Sequence, residues 1–265
     1  MSAITTNTIE RREYKYLIDR ERASAVRAAI QPFCDLDPWA ARDPRGRYTI
    51  ESLYFDTRDL RLFWANDHEV ADRVKVRVRG YAGAPASAPI FFEVKRRIGD
   101  VIRKTRGRVP RACWTQILAD PAAPIPAEIG GRDRPAVERF LALCRTMHLR
   151  PHTLVRYERE PHFSRIDDYV RVTFDTRIRA QAMDRLSLVA PDRGWRSLDD
   201  AVTQRELESL LVLELKFTNV VPLWLSHVVE RLDLTRRSFS KYGTSIRAFY
   251  QQLAHRRPAA RWRGR

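Results

Sequence analysis

Arg73-Val74-Lys75-Val76-Arg77-Val78-Arg79-Gly80 alternates a cation with a valine along nearly its whole length. Successive side chains of a strand point to opposite faces. Lys75, Arg77 and Arg79 therefore share one face, and Val74, Val76 and Val78 the other. The same habit returns in five further segments. Glu93, Lys95 and Arg97 oppose Phe92 and Val94, and Lys104, Arg106 and Arg108 line up within 103–109. Arg171, Thr173, Asp175 and Arg177 oppose Val172 and Phe174. Glu214 and Lys216 oppose Leu213, Leu215 and Phe217, and Glu13 and Lys15 share a face of a first strand at 9–18.

One such strand reads as an ordinary amphipathic strand with a solvated face. Six ask for more. A sheet face in water usually mixes in Ser, Thr, Asn and Gln, whereas this one is dominated by cations punctuated by Glu. If the apolar faces turn outward under helices, the charged faces line the inside of a closed antiparallel barrel, a basic and wet tunnel. Clustered cations repel one another and are costly to desolvate. Water or a polyanion must then fill the space.

The rest of the pattern decorates these strands. Spacing predicts a helix over 19–31, with Asp19 as N-cap and Ala23, Val26, Ala29 and Ile30 as its apolar face. Strands are predicted over 47–56, 73–81, 90–97, 101–109, 154–161, 169–180 and 211–218. A turn is expected at Thr57-Arg58-Asp59, with Asp56 as its hydrogen-bonding residue, and a short strand near 62–66. Helices are expected at 111–118, 136–147, 199–210 and 223–232, and 120–135 reads as a Pro/Gly-rich connection. One domain over 9–250 is expected, with two domains as the alternative. The Arg-rich tail 251–265 is expected to be partly disordered.

The chain has 265 residues, 49 Lys plus Arg and 33 Asp plus Glu, a net charge of +16. Such an excess favours nucleic acid, membrane surfaces, nucleotides or polyphosphate. No RNP, helix-turn-helix or zinc motif appears, and the basic residues follow strand alternation, so nucleic acid is not the expected partner. Cys34, Cys113 and Cys144 are scattered, which suits a reducing cytosol and no structural zinc. Residues 1–10 lack an apolar signal core, and no run of 18 apolar residues occurs. A cytoplasmic location is expected, with any role at the inner face of a membrane exercised through a membrane-protein partner.

Eight motifs in order carry a resemblance: Arg12-Glu13-Tyr14-Lys15-Tyr16, Ser52-Leu53-Tyr54-Phe55-Asp56-Thr57, Arg77-Val78-Arg79, Phe92-Glu93-Val94-Lys95, Val155-Arg156-Tyr157, Val170-Arg171-Val172, Leu213-Glu214-Leu215-Lys216 and Ser240-Lys241-Tyr242. The chain resembles the vacuolar transporter chaperone (VTC) polyphosphate polymerase domain over residues 9–250. The resemblance implies the triphosphate tunnel metalloenzyme fold, an α+β chain dominated by a closed eight-stranded antiparallel barrel with helices outside. It implies transfer of the terminal phosphoryl group of ATP, or another nucleoside triphosphate, to a growing polyphosphate chain with Mn²⁺ or Mg²⁺. Inorganic triphosphate or polyphosphate hydrolysis in the same tunnel is the alternative, as is a non-catalytic polyphosphate-binding subunit of a membrane complex.

By the same resemblance Lys15, Arg77, Arg79, Lys95, Arg156 and Arg171 would hold phosphate. Lys241 would hold the chain near the tunnel's end, and Glu214 would be the metal carboxylate. Glu13, Glu93, Lys104 and Lys216 would line the substrate path, with Glu13 and Glu93 orienting its cations. CYTH relatives open with two glutamates before the lysine, whereas Arg11 stands at the first position here; that favours a VTC-like site with fewer metal carboxylates. A second lysine frequent before Ser-Lys-Tyr is replaced by Ser238-Phe239. The SPX domain that precedes eukaryotic VTC domains is not expected. Asp175 fits either the charged face or a strand-end turn, and Tyr54, Tyr157 and Tyr242 read as packing or hydrogen-bonding residues.

Overall fold

The computed structural model describes residues 11–99, 101–167, 169–218 and 220–256. Expectations for 9–10 and for the tail beyond 256 lie outside the described residues. In chain order the strands are β1 (Arg11–Ile18), β2 (Cys34–Leu36), β3 (Tyr48–Asp56), β4 (Asp72–Tyr81), β5 (Ile90–Ile98), β6 (Val101–Val109), β7 (Arg150–Ser164), β8 (Arg171–Ala182), β9 (Arg196–Ser197) and β10 (Leu211–Thr218). The helices are α1 (Arg20–Ile30), α2 (Arg61–Asp67), α3 (Trp114–Ala119), α4 (Arg134–Thr146), α5 (Ala201–Gln204), α6 (Leu223–Arg231) and α7 (Lys241–Arg256).

Strand pairing follows the path β1-β10-β8-β7-β3-β4-β5-β6, with β2 added to β7 and β9 to β8. The path is open: among the described residues no ladder joins its two ends. The closed eight-stranded barrel expected from the sequence is therefore corrected to an open, mostly antiparallel sheet with eight strands on its path. Alternation fixes which face a residue takes, but it carries no information on whether the end strands meet. One end is β6, whose exposed Arg103, Lys104, Arg106 and Arg108 are of the type that discourages pairing at a free edge.

The chain divides into two compact units. The first contains the chain up to Tyr48, Glu158–Arg177 and Asp199–Phe239. Its core gathers Tyr16 and Ile18 of β1, Val172 and Phe174 of β8, and Leu213, Leu215 and Phe217 of β10. Ala23, Val26 and Ile30 of α1 and Leu225 and Val228 of α6 cover them. The spacing of the α1 residues is the helical stripe read from the sequence, and Asp19 caps its first turn by accepting the Arg22 N–H at 2.7 Å.

The second unit contains Thr49–Tyr157, Ile178–Leu198 and the chain from Ser240 onward. Its core gathers Val76 and Val78 of β4, Phe92 and Val94 of β5 and Leu53 and Phe55 of β3 under α4. Val137, Phe140, Leu141 and Cys144 face inward from α4, and the Phe140 ring lies 4.6 Å from that of Phe92. Gly107 lets this helix approach β6. A Cβ there would stand 2.8 Å from Val137 Cγ2 and 2.9 Å from the Asp133 carbonyl oxygen. In both units the apolar strand faces lie under helices, so the charged faces are the opposite ones.

Three expectations are corrected. The stretch near 62–66 is helix α2, not a strand, because its first N–H groups find acceptors. Asp56 accepts from Leu62 N–H at 2.9 Å and Phe63 N–H at 2.8 Å, and Thr57 Oγ1 accepts from Arg61 N–H at 2.9 Å. The helix expected over 199–210 shrinks to α5, capped by Asp200 and ended by Arg205 in the left-handed region. The region after Ser240 is helix α7, which runs through the expected start of the tail at 251.

Asp56 also accepts a 2.6 Å hydrogen bond from the Tyr242 hydroxyl, which ties α7 to the end of β3. Its carboxylate is fully buried. Asp56→Ala strands several buried donors and is expected to cost about 3 kcal/mol in urea unfolding, against about 1–2 kcal/mol for Tyr242→Phe. Equal losses for the two would contradict the anchoring role of Asp56 toward α2.

Candidate active site

In the second unit, β4 sets Arg79 opposite Ser52 and Arg77 opposite Tyr54 of β3. Across its other edge, Arg77 faces Glu93 and Lys75 faces Lys95 of β5. β6 then places Arg106 opposite Glu93 and Lys104 opposite Lys95. Register alone thus assembles one charged face.

Glu93 is its centre, at 2% exposure. Its carboxylate meets Arg77 Nη2 at 2.7 Å, Lys104 Nζ at 3.0 Å, Arg106 Nε at 3.5 Å and Arg79 Nε at 3.7 Å. Burial pushes the Glu93 carboxyl upward, but the four cations outweigh it and hold the group well below the usual carboxylate range. Although the Lys104 side chain is 46% exposed, loss of hydration beside the strand face brings it down to about 8, with Glu93 opposing and Arg77 and Arg79 assisting. Arg77 donates to Tyr54 Oη at 3.0 Å and Arg79 to Tyr157 Oη at 3.4 Å. The tyrosines are hydrogen-bonding residues, as the sequence suggested.

The start of α7 joins this group. Lys75 Nζ donates to Ser240 Oγ at 3.0 Å, and Lys241 Nζ lies 4.4 Å over the Tyr157 ring. Arg156 does not join it. Its guanidinium bonds Glu51 at 2.9 Å and lies 4.8 Å over the Trp195 ring. Glu51 alternates with Ser52 and Tyr54 on β3, so the Arg156–Glu51 pair belongs to the opposite face.

The first unit carries a second group. β10 places Glu214 between Lys15 of β1 and Thr173 of β8, and Lys216 between Glu13 and Arg171. Glu214 is 6% exposed. Its oxygens meet Lys216 Nζ at 2.8 Å, Arg159 Nη2 at 3.2 Å and Lys15 Nζ at 3.8 Å. Burial raises the Glu214 pKa, but Lys216, a hydrogen bond with Glu13, Lys15 and Arg159 together bring it well below the ordinary value. Lys15 Nζ also lies 3.1 Å from Glu13 and donates to the Phe239 carbonyl at 3.1 Å. The Arg171 guanidinium covers the Phe163 ring at 4.6 Å.

Asp175 is no strand-end turn residue. It is fully buried within β8 and takes two 2.7 Å bonds from Arg159. Arg159 is the main residue that the sequence reading missed. Its signal was alternation with Tyr157, two positions earlier; a reading centred on Arg156 selects the other face. Lys75 and Ser240 were likewise visible only as pattern and motif.

Divalent magnesium or manganese takes oxygen ligands, one or two carboxylates with phosphate and water completing the shell. Glu214 with Glu13 supplies that donor type. Among the described residues no group of three or more His, Cys, Asp or Glu is placed to hold a metal without such added ligands. Glu214 and Glu13 are thus of the donor type such a metal takes, but two carboxylates alone do not complete its shell.

No curated protein matches the chain. Among solved structures, a candidate adenylate cyclase from Bacillus halodurans is 11% identical with a TM-score of 0.47, covering 88% of this chain and 94% of its own. A candidate adenylate cyclase from Vibrio parahaemolyticus is 11% identical at 0.44, covering 90% and 98%. A candidate adenylyl cyclase from Hippeastrum, described as having a dominant triphosphatase activity, is 12% identical at 0.49, covering 91% and 96%. The VTC domain family model matches residues 10–250. Matched over nearly its whole length, the chain belongs to the VTC domain family, which has the triphosphate tunnel metalloenzyme fold.

Proposed function

We propose that the chain is a metal-dependent polyphosphate polymerase that transfers the terminal phosphoryl group of ATP to a polyphosphate end. The observation that carries this reading is the Glu93-centred face, four cations about one buried carboxylate. The excess positive charge there suits the oxygens of a phosphate chain. Phosphoryl transfer asks for positioning and charge neutralisation more than for covalent chemistry by the protein.

In this mechanism Arg77 and Arg79 bind phosphoryl oxygens with their planar forks, and Lys75, Lys95 and Lys104 act as point charges. Glu93 holds the guanidiniums in place before the substrate arrives. Lys241, over the Tyr157 ring, is a further phosphate ligand of the second unit, and in the first unit Lys15, Arg171 and Lys216 are the cations that would bind phosphate. Glu214 and Glu13 would hold the metal, which when bound neutralises charge between neighbouring phosphates. A terminal oxygen of the acceptor chain forms a bond to the γ-phosphorus. The bridging P–O bond to the β-phosphate breaks, and its electron pair leaves with ADP. No residue of the protein becomes covalently modified.

Hydrolysis in the same site is the second reading. Lys104 and Arg106 are half-exposed, so water reaches the phosphate-binding face and can serve as acceptor. ATP and Mn²⁺ with the purified protein should give long chains on a polyphosphate-staining gel; orthophosphate without chains would assign water as the acceptor. Glu214→Gln is expected to lower turnover at least a hundredfold while tripolyphosphate still binds. Unchanged turnover would remove the metal role from Glu214, and a parent protein that binds without turnover would mark a binding subunit.

Lys104, lowered to about 8, supplies a pH test. Its charge is present below that value and lost above it, while a bound polyanion favours the charged form. Tripolyphosphate affinity should therefore weaken up to about tenfold between pH 7 and 9 relative to Lys104→Arg, which stays charged. Parallel affinity profiles for parent and variant in calorimetric titrations would exclude contact between Lys104 and the ligand.

A further inference from the structure

The hairpin joining β5 to β6 ends in a tip that the phosphate-binding reading does not use. The strands stay paired up to Ile98 and Val101, so the turn between them is only two residues long. Gly99 takes φ +56, and a Cβ added there would meet nothing within 4 Å. Ile98, Val101 and Ile102 are 45%, 55% and 44% exposed. Val70, at 47%, stands beside them, because Gly99 N–H donates to the neighbouring Ala71 carbonyl at 2.8 Å. Register sets Ile98 and Val101 on one face and Ile102, opposite Arg97, on the other, so both faces of the hairpin end carry exposed apolar side chains. Single ones are ordinary, but several at one end mark a contact surface.

Cations form a collar directly behind this tip. Arg96 and Arg97 precede it on β5, and Arg103 and Lys104 follow it on β6. Register pairs Arg96 with Arg103 and Lys95 with Lys104. The acids nearest in sequence are Glu69, Asp72, which is held by Arg96, and Asp100, fewer than Arg73, Arg96, Arg97, Arg103 and Lys104. Positive charge therefore prevails around the apolar residues.

We propose that this tip docks on an anionic lipid bilayer, with Ile98, Val101, Ile102 and Val70 entering the headgroup boundary and the collar meeting lipid phosphates. Area decides between a bilayer and a protein partner. A stable protein interface needs roughly 800 Å² from each side, more than a two-residue turn with four half-exposed side chains can present. A bilayer accepts a narrow apolar wedge, and basic side chains around it add attraction to anionic headgroups. Direct docking of this kind needs no membrane-spanning partner. It also needs no helix able to cross a membrane, and none of the described helices is long and apolar enough to do so.

Cosedimentation with vesicles of phosphatidylcholine and phosphatidylglycerol at 7:3 tests this without ATP, so its failure leaves the polymerase reading untouched. The parent protein should pellet with these vesicles and at least tenfold less with pure phosphatidylcholine. Ile98→Ser combined with Val101→Ser should reduce binding at least tenfold at unchanged tripolyphosphate affinity, which also reports that the unit is folded. Val101→Trp should gain emission that is quenched by lipids brominated in the acyl chain. Equal binding by the parent and the double-serine variant would overturn the proposal, since net charge alone would then explain the attraction. So would an absence of vesicle binding, or a parent that forms a dimer which the double-serine variant loses.

Discussion

Cations crowded on one sheet face need a carboxylate among them, and much of this molecule follows from that need. Arg77 and Arg79 stand two residues apart on β4, where their charges repel and their burial is costly. Glu93 offsets both, and its four cation partners keep it ionised in spite of its burial. It cannot neutralise them all, so this face retains an excess of positive charge. In the first unit Glu13, Asp175 and Glu214 stand among Lys15, Arg159, Arg171 and Lys216, a nearly balanced set. The face of the second unit is thus strongly cationic, and that of the first unit is close to neutral.

The apolar side of the sheet makes those faces possible. β4 and β5 bury Val76, Val78, Phe92 and Val94 under α4, and Gly107 gives that helix its close approach. Asp56 does comparable service with a single side chain. It receives N–H groups of α2 on one side and the Tyr242 hydroxyl on the other. That bond fixes the start of α7, and with it Ser240 against Lys75 and Lys241 over Tyr157. A residue read as a simple turn former therefore also positions part of the candidate site.

What could be read in advance was local. Period-two charge placed Lys15, Arg77, Arg79, Glu93 and Glu214 on the correct faces, because strand alternation needs no knowledge of neighbours. Asp19 and the α1 stripe were legible for the same reason. Residues 62–66 were misread because the acceptors for their N–H groups lie at Asp56 and Thr57, outside the segment itself. Barrel closure was misjudged because it concerns strands far apart in sequence. Arg156 and Arg159 mark the limit most clearly. Both are arginines on β7, three positions apart, and therefore on opposite faces. Only their partners, Glu51 for one and Asp175 with Glu214 for the other, reveal which belongs with the charged group.

That distinction bears on how a metal would enter. Glu214 already meets Lys216, Arg159 and Lys15, so a divalent cation arriving alone would face three positive neighbours. On the proposed function, a phosphate chain changes this balance. Its oxygens would offer Lys15 and Lys216 a new partner, leaving Glu214 and Glu13 available as the carboxylates that would hold a metal. Arg159 has less freedom to move, because its two bonds to buried Asp175 hold it in place. It can therefore keep Glu214 oriented while the lysines turn to the substrate. Metal and phosphate chain would then bind each more tightly in the presence of the other, with Asp175 acting through Arg159 as the fixed point of the arrangement.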